Sequence, residues 1–156
     1  IQLLQPGLVQ QVAGILDTTQ LPSHCLKLEI TESSLMAKAQ DAIGLLEELR
    51  NLGIQLSLDD FGIGYSSLSR LQHLPVNGLK IDQSFVRELS QAENQNIIAS
   101  ILTLAHRLGM IVTAEGIETP EQWHYLEQLG CHFGQGFYFS KPVDAATAEQ
   151  LLLRPR

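Results

Sequence analysis

Apolar positions recur along this chain at two spacings. Leu45, Leu46 and Leu49 form one stripe, and Ile97, Ile98, Ile101, Leu104, Ala105 and Leu108 form another. Both follow the 3.6-residue period of an amphipathic helix. A second set of short runs alternates instead: "LKLEIT", "IQLSLDD", "GLKID", "MIVTAE" and "HFGQGF". These read as strands. The chain opens on a helix at about residues 6 to 20. A helix–Gly–strand phrase then repeats in "LRNLGIQLSLDD", "AHRLGMIVTAEG" and "LEQLGCHFGQG". Gly53, Gly109 and Gly130 stand where a helix closes on a left-handed residue. In "TPEQWHYLEQLG", Thr119 is placed as N-cap and Pro120 at the first helical position, with Trp123, Leu126 and Leu129 facing the core.

Most gaps between the strand runs leave room for a crossover helix, and none looks like a two-residue hairpin. Parallel β/α units follow. The predicted fold class is α/β, a TIM-like (β/α)8 barrel. Such a barrel needs eight strands and about 250 residues. The chain has 156 residues and five strand runs. It therefore reads as about the last five strands, with residues 1–156 the C-terminal part of a single domain. An open five-stranded sheet is the structural alternative. The start at Ile1, without Met, fits a piece of a longer polypeptide.

Alternation assigns faces to the side chains. Leu28 and Ile30 oppose Lys27 and Glu29, and Leu56 and Leu58 oppose Ser57 and Asp59. Leu79 and Ile81 oppose Lys80 and Asp82, and Val112 and Ala114 oppose Thr113 and Glu115. In a barrel the apolar face packs on helices, and the polar face converges at the C-terminal mouth. Glu29, Asp59, Asp60, Asp82 and Glu115 would meet there, with Gln135 at the same level. So many carboxylates repel one another unless neutralised, and Lys80 alone is too little. An oxygen-only donor set suits Mg²⁺ or Mn²⁺. No His or Cys stands at these strand ends, which argues against zinc or iron. The competing reading is an antiparallel sheet with one wet face, where such alternation is routine.

Seventeen acidic residues face ten basic ones, a formal net charge of −7. That argues against a broad nucleic-acid or anionic-membrane surface. A bound divalent cation would still admit a phosphate ligand. No apolar run approaches the ~20 residues of a membrane span, and no signal-peptide pattern opens the chain. Cys25 and Cys131 match no disulfide or zinc spacing and read as reduced core thiols of a cytoplasmic protein. The five histidines are scattered and read as surface or packing residues.

"DDFGIGYSSL" places two glycines and two serines directly after the paired aspartates. Gly62 and Gly64 permit positive φ or close approach. Ser66 or Ser67 would cap a short helix over "SLSRLQHL". The segment lacks the Gly-Lys-Ser/Thr ending of a Walker loop.

With "LEITES", "LSLDDFGIGYSSL", "LKIDQSFV", "AEGIET" and "GQGFYFSKPV" in this order, the chain resembles the EAL-type cyclic di-GMP phosphodiesterases over essentially its whole length. The resemblance implies a barrel that cleaves one phosphodiester of cyclic di-GMP to linear pGpG, using a two-metal Mg²⁺ or Mn²⁺ site. It implies Glu29 as a first-metal ligand, Asp59 as the bridging ligand and Asp60 as a second-metal ligand. Glu115 would bind the second metal and serve as general base, and Lys80 would hold the attacking water. Glu32 would anchor the "DDFG" loop, through which the family also forms homodimers. Asp82, Glu118 and Gln135 match further substrate or loop-supporting positions. Two departures stand out. The Glu-Ala-Leu motif, an arginine motif and an asparagine ligand are absent from this chain, and Ile63 replaces the usual loop Thr. The isolated piece is therefore expected to be inactive. A non-catalytic cyclic di-GMP receptor or protein-interaction module is the alternative, and a different metal-dependent barrel hydrolase is a third possibility.

Overall fold

The structure, a computed structural model, describes residues 5–36, 39–63 and 71–153. Helix α1 (Leu8–Thr19) leads through a 3₁₀ turn (Ser23–Cys25) into strand β1 (Lys27–Thr31). Helices α2 (Glu32–Met36) and α3 (Ala39–Asn51) precede β2 (Gln55–Phe61). Strand β3 (Gly78–Ile81) is followed by the short α4 (Gln83–Arg87) and the long α5 (Ala92–Arg107). Then come β4 (Ile111–Ala114), α6 (Pro120–Gln128), β5 (Phe133–Gly134) and α7 (Ala145–Leu152).

The local signals act as their chemistry requires. Gly53, Gly109 and Gly130 all take positive φ at the helix-to-strand joints. Thr119 forms a full capping box with Gln122, and Pro120 sits in the first turn of α6. The capping satisfies backbone N–H groups that the first helical turn leaves without partners.

All five strands are parallel and pair in sequence order, β1-β2-β3-β4-β5. This stepwise order excludes the antiparallel sheet with one wet face. Successive right-handed crossovers stepping in one direction place the connecting helices on the same face of the sheet. A doubly wound sheet would reverse direction partway. The opposite, polar face curls inward. In a flat sheet, β1 and β5 would stand about 19 Å apart, four spacings of ~4.8 Å. Yet Lys27 and Glu29 of β1 line one cavity of about 500 Å³ with Thr113, Phe133 and Gly134 of β4 and β5. The sheet is thus a partial barrel, open between β1 and β5.

The core lies between the outer sheet face and the helices. Leu56, Leu58, Leu79, Ile81, Val112 and Ala114 are buried against Leu46, Leu49, Ile98, Leu102, Ala105 and Leu126. Burying each Leu or Ile contributes roughly 1.5–3 kcal/mol. Trp123 packs edge-on against Phe139 with ring centroids 5.4 Å apart. No helix among the described residues is long and apolar enough to cross a membrane.

Two expectations need correction. Cys131 is a buried thiol, but Cys25 is exposed. It ends the 3₁₀ turn at the entry to β1, an edge strand with no neighbour on its outer side to cover it. The fifth strand is also shorter than "HFGQGF" suggests, pairing only at Phe133 and Gly134. Gly136 ends it by running against the backbone of Ile117, where even a Cβ would lie 2.1 Å from the Ile117 oxygen.

Candidate metal centre

Strict alternation would turn Asp59 inward and Asp60 outward toward the helices. The backbone breaks that rule. The β2–β3 register shifts between Leu58 and Phe61, and Asp60 adopts φ of 56°. A left-handed aspartate costs on the order of 1 kcal/mol, and bulges of this kind cluster beside functional sites. The consequence is that consecutive aspartates both reach the mouth, while Phe61 returns to the core.

Lys80 rises from β3 with its side chain only 7% exposed. Its Nζ donates to Glu29 Oε2 at 2.7 Å and lies 2.8 Å from Glu115 Oε1. Asp59 Oδ1 stands 3.2 Å from the same Nζ, but off the line of a hydrogen bond, and this buried oxygen has no hydrogen-bond partner. An unsatisfied buried carboxylate oxygen is costly. Burial pulls the Lys80 pKa down, but its contacts with Glu115 and Glu29, together with the neighbouring Asp59 carboxylate, overcome it and hold the ammonium above its ordinary range.

The carboxylates respond in the opposite sense. Burial, then repulsion from Asp59 and Asp82, raises the Asp60 pKa against the pull of Lys80. Burial also raises Glu115, opposed by its bond to Lys80 and reinforced by Asp59 and Glu29. One oxygen each from Asp59, Asp60 and Glu115 lies within 4.8 Å of the others. Two opposite ligands of one Mg²⁺ span about 4.2 Å, twice a ~2.1 Å bond. The three residues fit a hard divalent cation. They offer oxygen donors only, they crowd like charge, and one buried oxygen accepts no hydrogen bond, meeting only the Lys80 ammonium at 3.2 Å.

The other predicted residues divide around this group. Glu29 touches it through Lys80 but does not join the three, and its side chain is 43% exposed on the edge strand. Glu32 is buried at the start of α2, and its Oε2 accepts the Gly62 N–H at 3.1 Å. Asp82 is buried and its Oδ1 accepts the Ser84 N–H at 2.8 Å, capping α4. Glu118 is exposed, and its backbone N–H bonds Gln122 rather than the acidic group. Gln135 lines the cavity between β1 and β5, and its backbone clasps both Ala114 and Ile117. Gly62 takes φ of 101° as the loop reading requires, and Ile63 is 62% exposed. Gly64, Ser66 and Ser67 lie outside the described residues.

Sequence reasoning missed α4. The available signal was Asp82 followed by Ser84, an Asx cap at a strand end. Its ring at Phe85 and its first residue, Gln83, reach the two loops that carry the acidic group.

A family model described as "EAL domain" matches residues 1–142. The cyclic di-GMP phosphodiesterase NbdA of Pseudomonas aeruginosa is 42% identical over 147 residues, covering 94% of this chain and 19% of that protein. The solved structure described as "PaMucR Phosphodiesterase, c-di-GMP complex" superposes with a TM-score of 0.91 at 39% identity, covering 94% of this chain and 60% of that one. Klebsiella pneumoniae BlrP1, in a manganese/cy-diGMP complex, superposes with a TM-score of 0.83 at 34% identity, covering 90% of this chain and 36% of that one. The chain thus spans about a fifth of NbdA and less than two thirds of either solved chain.

Proposed function

The chain belongs to the EAL domain family, and from that premise we propose that its intact domain hydrolyses cyclic di-GMP to linear pGpG with a divalent metal, Mg²⁺ or Mn²⁺. The observation that carries this reading is the Asp59–Asp60–Glu115 group beside Lys80, with Asp59 Oδ1 buried and without a hydrogen-bond partner. When bound, the metal supplies Lewis acidity and a lowered pKa for a coordinated water. Relatives carry the chemistry in their descriptions: one is a cyclic di-GMP phosphodiesterase, and another holds manganese with cyclic di-GMP.

The chain's own residues have separable tasks in this reading. Asp59, Asp60 and Glu115 hold the metal. The Lys80 ammonium, fixed by Glu29 and Glu115, orients the attacking water and stabilises negative charge developing on phosphoryl oxygen. Glu115, with its raised pKa, is suited to take the water's proton. The water oxygen bonds to phosphorus, the P–O3′ bond breaks, and a proton returns to the leaving oxygen. Glu32 steadies the loop after Asp60 by holding the Gly62 N–H, and the exposed Ile63 belongs to the surface through which two copies would pair.

Turnover of cyclic di-GMP by the longer domain, followed by chromatography of pGpG with Mg²⁺ or Mn²⁺, tests the reading. Glu115→Gln is expected to lower kcat by about 10²–10⁴. Unchanged turnover removes Glu115 from the chemistry. The 156-residue chain alone is expected to be inactive, and hydrolysis at the longer domain's rate would contradict that. A receptor role is the second reading, favoured by Glu29 standing outside the acidic group. Binding of cyclic di-GMP by the longer domain without hydrolysis would establish it.

A further inference from the structure

The short helix α4 touches both loops that follow the acidic residues, through Phe85 on one side and Gln83 on the other. On one side lies the loop after Asp59 and Asp60. A Cβ built on Gly62 would sit 2.9 Å from Phe85 Cε2 and 3.1 Å from Phe85 Cζ. On the other side lies the loop after Glu115. A Cβ on Gly116 would sit 2.6 Å from Gln83 Cβ and 3.2 Å from Gln83 Cα. Such approaches leave no room for any side chain, so both loops rest directly on α4.

Helix α4 is itself fixed from three directions. Asp82 caps its N-terminus through the Ser84 N–H at 2.8 Å. Val86 is fully buried in the core. Gln122 of α6 donates its Nε2–H to the Val86 carbonyl at 3.1 Å. Gly62 is meanwhile held on its far side by Glu32. The peptide after the paired aspartates is therefore clamped between a carboxylate and an aromatic ring.

We propose that Phe85 is a positioning residue for the metal centre: its ring, seated under Gly62 while Gln83 abuts Gly116, sets the spacing between the Asp59–Asp60 pair and Glu115. The inference rests on the metal-site reading above and assigns Phe85 no contact with substrate or metal. Outer-sphere supports of this kind alter metal affinity by ten- to a hundredfold when removed. Leu in place of Phe85 keeps an apolar side chain but removes the flat surface on which Gly62 lies.

The test measures Mn²⁺ affinity of the chain by electron paramagnetic resonance of free Mn²⁺, alongside thermal unfolding by circular dichroism. Phe85→Leu is expected to weaken Mn²⁺ binding at least tenfold. Leu49→Val, a core change at the far end of α3, serves as the stability control. It is expected to lower Tm yet leave Mn²⁺ affinity unchanged. Equal affinity in wild type and Phe85→Leu would overturn the proposal while leaving the metal site intact. An equal loss in Leu49→Val at matched Tm would also overturn it, since the effect would then be general destabilisation. Absence of Mn²⁺ binding by the wild-type chain would instead refute the metal reading itself. Should Phe85→Leu fail to fold, Phe85→Met carries the test, because it keeps a long apolar side chain but not the flat ring on which Gly62 lies. A tenfold loss there supports the proposal, and unchanged affinity overturns it.

Discussion

Replacing Lys80 by Met strips the one cation that the described residues bring to the acidic group while keeping most of the side chain's length. The ammonium contacts Glu29, Asp59 and Glu115 at 2.7, 3.2 and 2.8 Å. Removing one partner of a buried ion pair typically costs about 3–5 kcal/mol. Here the loss has a ceiling, because a stranded carboxylate can take a proton. At pH 7 that proton costs roughly 1.36 kcal/mol for each of the ~2.7 units above the ordinary glutamate value of about 4.3, or ~3.7 kcal/mol. The expected deficit is therefore about 3 kcal/mol at pH 7, a fall in Tm of roughly 6–12 °C for a chain of this size. The sign of the pH dependence follows from the shifts. Glu115 and Asp60 have pKa values raised by burial and like charge. Their protonated forms favour the fold below the ordinary carboxylate range, and that benefit is lost as pH rises through the raised values. Lys80 is raised as well, so its stabilisation is complete at neutral pH and fades only in strong alkali. The Lys80→Met deficit should thus shrink on acidification to pH 5, and added Mn²⁺ should recover part of it by restoring positive charge. Urea unfolding followed by far-ultraviolet circular dichroism, with EDTA and with Mn²⁺, measures both effects. A deficit below 1 kcal/mol at pH 7 in EDTA, or one that grows as pH falls, would refute the reasoning.

Three further outcomes follow from the same geometry. Asp60→Gly relieves a left-handed aspartate and one crowded negative charge, so metal-free stability should rise by about 1 kcal/mol while Mn²⁺ affinity falls; a variant that is both less stable and equally avid for Mn²⁺ contradicts this. Leu58→Ala opens a cavity at a fully buried position of β2 and should cost about 3–5 kcal/mol in urea midpoint analysis, whereas a loss under 1 kcal/mol would show the core lies elsewhere. Iodoacetamide labelling followed by mass spectrometry should modify the exposed Cys25 rapidly and Cys131 slowly, because Cys131 is buried and burial raises its thiol pKa; equal rates would argue that the β4–β5 region opens in solution.

The sheet and most of its chemistry were legible from alternation. Leu56, Leu58, Leu79 and Ile81 pack outward, and Lys80 and Glu115 face the mouth, because a strand's side-chain period leaves them no other choice. The helix ends were equally readable, since Thr119, Pro120 and the joint glycines act locally. What alternation could not yield was Asp60, whose inward turn depends on a bulge set by pairing with β3. The role of Phe85 was hidden for a related reason. Its contact with Gly62 crosses two β/α units, and no local pattern encodes it. Cys25 misled because burial of a lone thiol depends on which strand lies beside it, and β1 is an edge. Glu118 belongs to a matching motif, yet its side chain stays exposed where α6 begins.

The central claim is that Asp59, Asp60 and Glu115 hold a divalent cation beside Lys80. Anomalous scattering from crystals of the chain grown with Mn²⁺ tests it most directly. The expected result is a peak bounded by oxygens of these three residues at about 2.1 Å, lost in Asp59→Asn. Ordered density for the mouth with no anomalous peak there, or a peak held by other residues, would contradict it.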